Sequence, residues 1–153
     1  MSGFMFDTNV FNHIVRDDVD VGSLPAKQRL FVTHVQHNEL QATRNDAKRE
    51  ELLAVFASIS AKKVPTETAL WGESEWGGAN FSDGSGPFSA MLDALNKRNG
   101  SKQNNHRDVL IGETALLNTH YLVTDDRDLA ETVREFGGKT MTLQEFLRSA
   151  DSE

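Results

Sequence analysis

The 153-residue sequence contains no cysteine. Disulfide scaffolds, cysteine-based zinc sites, iron–sulfur clusters and a thiol nucleophile are thereby excluded. A chain of this length does not need such staples, because it buries roughly 68–70% of the surface that its unfolded form exposes. Long apolar runs are also missing, and none approaches the ~20 residues of a membrane helix. The opening residues, MSGFMFDTNVF, lack a basic stretch followed by an apolar one. They do not read as a secretory signal, and the cytoplasm is the expected location. The two N-x-[ST] matches, at Asn80 and Asn99, then read as chance. Positive charge is in short supply: 16 Lys and Arg stand against 23 Asp and Glu, a net charge of −7. This argues against a basic surface wrapped around nucleic acid, whose affinity comes mainly from contacts to phosphate. It leaves room for an enzyme that meets phosphate through metal ions, where local charge decides.

What is present is the composition of a globular domain, with 38% hydrophobic and 25% charged residues and no internal repeat. Short apolar runs at residues 3–6, 30–33 and 121–124 read as buried strands, with weaker strand candidates at 63–65 and 139–141. Between them lie segments of helical periodicity: 8–15, 34–44, 46–60, 88–98, 104–118, 127–136 and 143–147. Residues 16–29 are either loop or a ragged helix, and a further helix is expected to begin over 66–71. Gly72 to Pro87 holds five of the eleven glycines and is expected to be a long loop. Strands alternating with amphipathic helices predict an α/β fold, a parallel sheet covered on both faces. Ligands of such sheets bind outside the carboxyl ends of the strands.

Acidic residues gather at those ends. Asp7 follows the first strand directly, Glu39 lies six residues past the second, and Asp126 and Asp128 follow the third. Asp108 opens the helix leading into that third strand. Spacings of 32, 69 and 18 residues separate Asp7, Glu39, Asp108 and Asp126, so only a fold that collects strand ends can bring them together. Carboxylates collected in one pocket repel one another and raise their own pKa values. A divalent metal relieves this, and oxygen-only donors favour Mg²⁺ or Mn²⁺. Each residue also has a plain alternative. Asp7 and Asp126 suit helix caps, Asp108 suits a helix dipole, and Glu39 suits a solvated helix face.

The segments M-F-D-T-N-V-F, H-N-E-L, H-R-D-V-L-I-G-E-T-A-L and L-V-T-D-D-R-D-L, in this order, resemble those of PIN-domain ribonucleases. Within that family they look like the VapC-like toxins of bacterial toxin–antitoxin pairs. The resemblance covers residues 3–143. It implies a PIN-like three-layer α/β/α sandwich with a short central parallel sheet. A single domain over 1–148 would carry the loop at 72–87 and a tail at 149–153. It implies that Asp7, Glu39, Asp108 and Asp126 are catalytic and hold Mg²⁺ or Mn²⁺, with Asp128 as a more peripheral fifth acid. Thr8, Asn9 and Thr124 match small polar positions near the metal or the scissile phosphate. The implied activity is hydrolysis of RNA phosphodiesters by a metal-activated water, leaving a 5′-phosphate and a 3′-hydroxyl. The implied partners are an RNA substrate, a second copy in a homodimer, and an antitoxin peptide inserted near the active site. A PIN nuclease without an antitoxin and a silent RNA- or partner-binding domain are the alternatives.

Other classes fit less well. A phosphatase of the haloacid-dehalogenase type needs an acid two residues after its nucleophile, where this chain has Asn9. A receiver domain needs an acidic neighbour for Asp7 and a Lys at a strand end, and Lys139 begins its strand. Arg107 and Arg127 adjoin the acids and suit either phosphate contacts or surface ion pairs. His34 and His37 read as structural or surface residues in preference to metal ligands, with an RNA-facing role open to His37. Trp71, Trp76 and Phe81 flank or punctuate the glycine-rich loop and suit anchoring it to the core, docking a partner or, less well beside its acids, stacking on unpaired bases. Gly112, inside a helix, is expected to allow close packing under the acidic site.

Overall fold

The first apolar run forms strand β1 (Phe4–Phe6), and Asp7 ends it by capping helix α1 (Thr8–Arg16). These come from a computed structural model, which describes residues 3–26, 29–66 and 87–149. A loop with one 3-10 turn at Val21–Ser23 occupies the stretch that the sequence left open between loop and helix. Then follow β2 (Leu30–Val32), α2 (His34–Gln41), α3 (Asp46–Ile59) and β3 (Lys62–Lys63). The second half holds α4 (Phe88–Asn99), α5 (Asn105–Leu117), β4 (Tyr121–Val123), α6 (Arg127–Glu135), β5 (Lys139–Met141) and α7 (Leu143–Arg148). The weak strand expected at 63–65 sits one residue earlier. Thr66 makes an isolated β-bridge and does not start a helix. The remainder of that expected helix, the glycine-rich loop up to Gly86 with its aromatics, and the tail from 150 lie outside the described residues.

The helix boundaries have local causes. Thr33 and Gln36 form a capping box at the start of α2, and Thr142 and Glu145 form another at the start of α7. Helix α6 stops where Gly137 takes φ +92°, a left-handed conformation that costs a side-chain-bearing residue strain.

The five strands form one all-parallel sheet in the order β3-β2-β1-β4-β5. Side-chain alternation along each strand divides the core into two layers. Phe4, Phe6, Leu30, Val32 and Val123 face α1, α3 and α7, where they meet Phe11, Ile14, Leu52 and Phe146. The rings of Phe4, Phe6, Phe11 and Phe146 meet edge to face there, with centroids 5.1–5.9 Å apart. Met5 and Leu122 face the other way, onto Met91, Leu95, Val109, Ile111, Leu129 and Val133 of α4, α5 and α6. The result is a PIN-like α/β/α sandwich. Gly112 belongs to the second helical layer. A Cβ there would stand 3.0 Å from Val133 Cγ2 and 3.7 Å from Met91 Cε, so its closeness serves helix packing more than the acidic site.

The sheet order positions the site. From β1 the chain moves outward through β2 and β3, then returns to place β4 and β5 on the opposite side. The connections out of β1 and β4 therefore diverge, and the crevice between them lies at the carboxyl ends of both strands.

Candidate active site

Asp7 stands at the end of the central strand and is almost fully buried. Its backbone N–H donates to the Val123 carbonyl of β4 at 3.0 Å, extending the ladder by one residue. Its two carboxylate oxygens are separately held. Oδ1 accepts from the Thr8 N–H at 2.8 Å, and Oδ2 accepts from the Thr124 hydroxyl at 2.8 Å. The Thr124 oxygen in turn accepts from the Asp126 N–H at 3.0 Å. On the other side, the Thr8 hydroxyl donates to Glu39 Oε1 at 2.8 Å. Asp126 caps α6, its Oδ1 accepting from the Leu129 N–H at 3.1 Å. Asp108 lies in the first turn of α5, half-buried.

Four elements thus deliver four acids to one crevice, and their charges act on one another. Asp7 is pushed up to about 7, first by burial and then by the charges of Glu39 and Asp126, against the pull of its Thr124 and Thr8 hydrogen bonds. Asp108 is pushed up to about 8, again first by burial and then by Asp7, Glu39 and Asp126. The charge of Lys102, in the loop between α4 and α5, opposes them on Asp108. Carboxyl groups with such values hold protons at neutrality and release them readily to a cation.

The capping readings of Asp7 and Asp126 and their membership of the acidic group hold together. A residue that ends a strand and starts a helix is placed by that geometry at the sheet's carboxyl edge. Asp128 is the outlier among the expected acids. It sits partly buried on α6, and its charge is not among those raising Asp7 or Asp108. Asn9 is exposed in the first turn of α1, and Arg107 is partly buried beside Asp108. Thr8 and Thr124 orient carboxylates, a role more specific than nearness to phosphate. The His37 ring packs on Phe56 of α3 with centroids 5.2 Å apart, and the residue is partly exposed.

Four further residues belong to this end of the sheet. Gln36 ties α2 to β1, and its signal was legible as the T-x-x-Q pattern of a capping box. His13 and Asp125 pair at 2.6 Å between α1 and the β4–α6 turn. Nothing in the sequence singles out Lys102, whose relevance comes only from where the α4–α5 loop places it.

Among the described residues no three His, Asp or Glu side chains close into a ready-made metal cage. The donors are all oxygen, and those of Asp7, Glu39 and Asp126 are steadied by an O–H or N–H. That chemistry suits a hard divalent cation held by one or two carboxylates and keeping several waters, the usual habit of Mg²⁺.

No family model and no curated protein sequence matches the chain. Solved structures do. PAE2754 from Pyrobaculum aerophilum superposes with a TM-score of 0.59 at 16% identity, covering 99% of this chain and 98% of its own. VapBC-5 from Mycobacterium tuberculosis, a member of the VapBC family of toxin–antitoxin systems, gives 0.49 at 18% identity over 93% and 98%. The likeness to PAE2754 is one of fold across nearly the whole of both chains.

Proposed function

We propose that this PIN-like domain is a metal-dependent endoribonuclease whose active site is the crevice holding Asp7, Glu39, Asp108 and Asp126. The observation that carries the reading is the mutual electrostatic action of four acids drawn from four elements, with Asp7 and Asp108 raised to about 7 and about 8. A cluster that holds its charge this poorly is a candidate functional site on physical grounds. Bound Mg²⁺ or Mn²⁺ would supply a nucleophilic water near neutral pH and neutralise charge developing on the phosphate.

The chain's own residues do the positioning. Asp7 and Asp108 would hold the cation, giving up their protons as it binds. The Thr8 N–H and Thr124 hydroxyl hold the Asp7 carboxylate plane so that it faces the crevice in one orientation. The Thr8 hydroxyl does the same for Glu39. Asp126 commits Oδ1 to its cap, which orients its other oxygen. The N-termini of α1 and α6 meet at this edge, and their dipoles favour a phosphate between them. Lys102 and Arg107 at the rim are the candidate contacts to the RNA backbone, and they offset locally a net charge of −7. Asp128 is at most a peripheral member of the group.

The toxin reading follows from the sequence resemblance and extends this proposal to an antitoxin peptide and a homodimer. Total RNA and tRNA, incubated with purified protein in Mg²⁺, Mn²⁺ or EDTA beside the Asp7→Asn variant, test the activity. Discrete fragments with 5′-phosphate ends are expected with metal and not from the variant. Equal cleavage in EDTA, or by Asp7→Asn, contradicts the assignment. A mass spectrum of the same preparation identifies a co-purified inhibitor. RNA binding with no cleavage from inhibitor-free protein favours a silent binding domain.

A further inference from the structure

The two ladders of β1 end at different places. On the β4 side, pairing runs through Phe6 opposite Val123, and the next residue, Asp7, still donates to β4. On the β2 side it stops one residue earlier, at Met5 opposite Phe31. The Phe6 carbonyl therefore reaches the carboxyl edge of the sheet with no strand partner from β2. A buried carbonyl in that position needs a donor.

The donor is Gln36. Its Nε2 gives a hydrogen bond to the Phe6 carbonyl at 2.9 Å, and the side chain is completely buried. The other end of the same amide is occupied as well. Oε1 accepts from the Thr33 N–H at 2.9 Å and from the Thr33 hydroxyl at 2.6 Å, which caps α2. One side chain therefore starts the helix and ties it to the central strand. Glu39 is three residues further along α2, on the same face of the helix. It accepts from Thr8, the residue after Asp7. The path from Asp7 to Phe6, Gln36, Glu39 and Thr8 closes on itself through hydrogen bonds, two peptide links and one turn of helix.

We propose that Gln36 is a positioning residue for the metal site, fixing Glu39 against Asp7 by substituting for the missing strand partner at Phe6. The inference rests on the metal-dependent reading given above. Partners behind metal ligands typically hold about 10–100-fold of affinity. A residue that served only to cap α2 would affect stability and leave affinity alone. The two roles can be separated, because Thr33 takes part in the cap and has no bond to Phe6.

The experiment measures Mn²⁺ binding by the full chain, from loss of the free-ion paramagnetic resonance signal, together with thermal melts. Wild type, Asp7→Asn, Thr33→Val and Gln36→Met are compared. Thr33→Val and Gln36→Met are expected to melt lower than wild type by similar amounts. Thr33→Val keeps wild-type Mn²⁺ affinity, whereas Gln36→Met binds about tenfold or more weakly, and excess Mn²⁺ restores its RNA cleavage but not that of Asp7→Asn. Wild-type Mn²⁺ affinity in folded Gln36→Met, with Asp7→Asn impaired, overturns the role of Gln36 alone. No Mn²⁺ binding by wild type overturns the metal reading and this inference together. Should Gln36→Met not fold, Gln36→Glu keeps an acceptor for the Thr33 N–H and removes the donor to Phe6. It is read in the same way: weakened Mn²⁺ binding supports the role, and unchanged binding overturns it.

Discussion

A hydroxyl placed between two acids controls the most buried of them. Thr124 donates to Asp7 Oδ2 and accepts from the Asp126 N–H, so its single oxygen links the central strand's acid to the cap of α6. Burial is the largest influence on Asp7, and the Thr124 hydrogen bond is the largest one opposing it. Thr124→Val preserves shape and removes the hydroxyl. A hydrogen bond to a charged group contributes roughly 1.5–3 kcal/mol, equivalent to about one to two units of pKa. Asp7 should therefore rise further, and the acid limb of the cleavage pH profile should move up by about one unit in this variant. An acid limb that stays where wild type has it would show that Asp7 need not ionise for activity. The sequence marks Thr124 only as a small polar residue near an acid. The bond to a residue 117 positions away exists only because β1 and β4 are neighbours.

At the scale of elements, helices were legible wherever apolar spacing was regular, as in α1, α3 and α6, and their ends fell within a few residues of expectation. The edge strands were harder. Strand β3 is two exposed lysines, without an apolar signature, and it pairs because β2 presents an open edge. The α4–α5 junction shows what spacing cannot express. Asn105 is buried and donates through Nδ2 to Asn96 Oδ1 at 2.7 Å and Asn99 Oδ1 at 2.8 Å, while accepting from Asn99 Nδ2 at 2.9 Å. This amide cluster fixes the first turn of α5, on which Asp108 rides. Asn105→Ala leaves its two partners unpaired, but both are partly exposed and regain water. The expected cost is about 1–2 kcal/mol, at the lower end for broken networks of this kind. It should appear as a lower denaturant midpoint with an unchanged slope. A midpoint equal to wild type would mean that α4 and α5 are held by their apolar contacts alone.

For the molecule as a whole, the acidic crevice makes stability depend on pH in an unusual direction. Asp7 and Asp108 have folded values of about 7 and about 8, above the 3.8 of an unperturbed aspartate. Well below 3.8 both groups are protonated in either state and cost nothing. As pH rises, the unfolded chain ionises first and the folded chain binds more protons, so stability falls. The loss begins above 3.8 and is complete above about 8. Metal-free protein should therefore melt progressively lower from pH 5 to pH 8. Adding Mg²⁺ or Mn²⁺ should raise the melting temperature, and more at pH 8 than at pH 6, because a ligand of the native state stabilises it by mass action. A flat profile without metal, or an equal metal effect at both pH values, contradicts the raised values of Asp7 and Asp108.

The sequence by itself determined the alternation of strands and helices, a sheet buried on both faces through continuous apolar runs such as Phe4, Met5 and Phe6, and the identity of the acids at strand ends. These are properties of neighbouring residues, and local periodicity and capping chemistry encode them. Tertiary structure decided which acids share a crevice, that the peripheral fifth acid Asp128 does not act on Asp7 or Asp108, and that Lys102 opposes Asp108. It also made Gln36 a bridge from α2 to β1. Strand order and the lengths of the two β1 ladders settle these matters. Neither is encoded locally, since both follow from how segments more than a hundred residues apart pack to bury one common sheet.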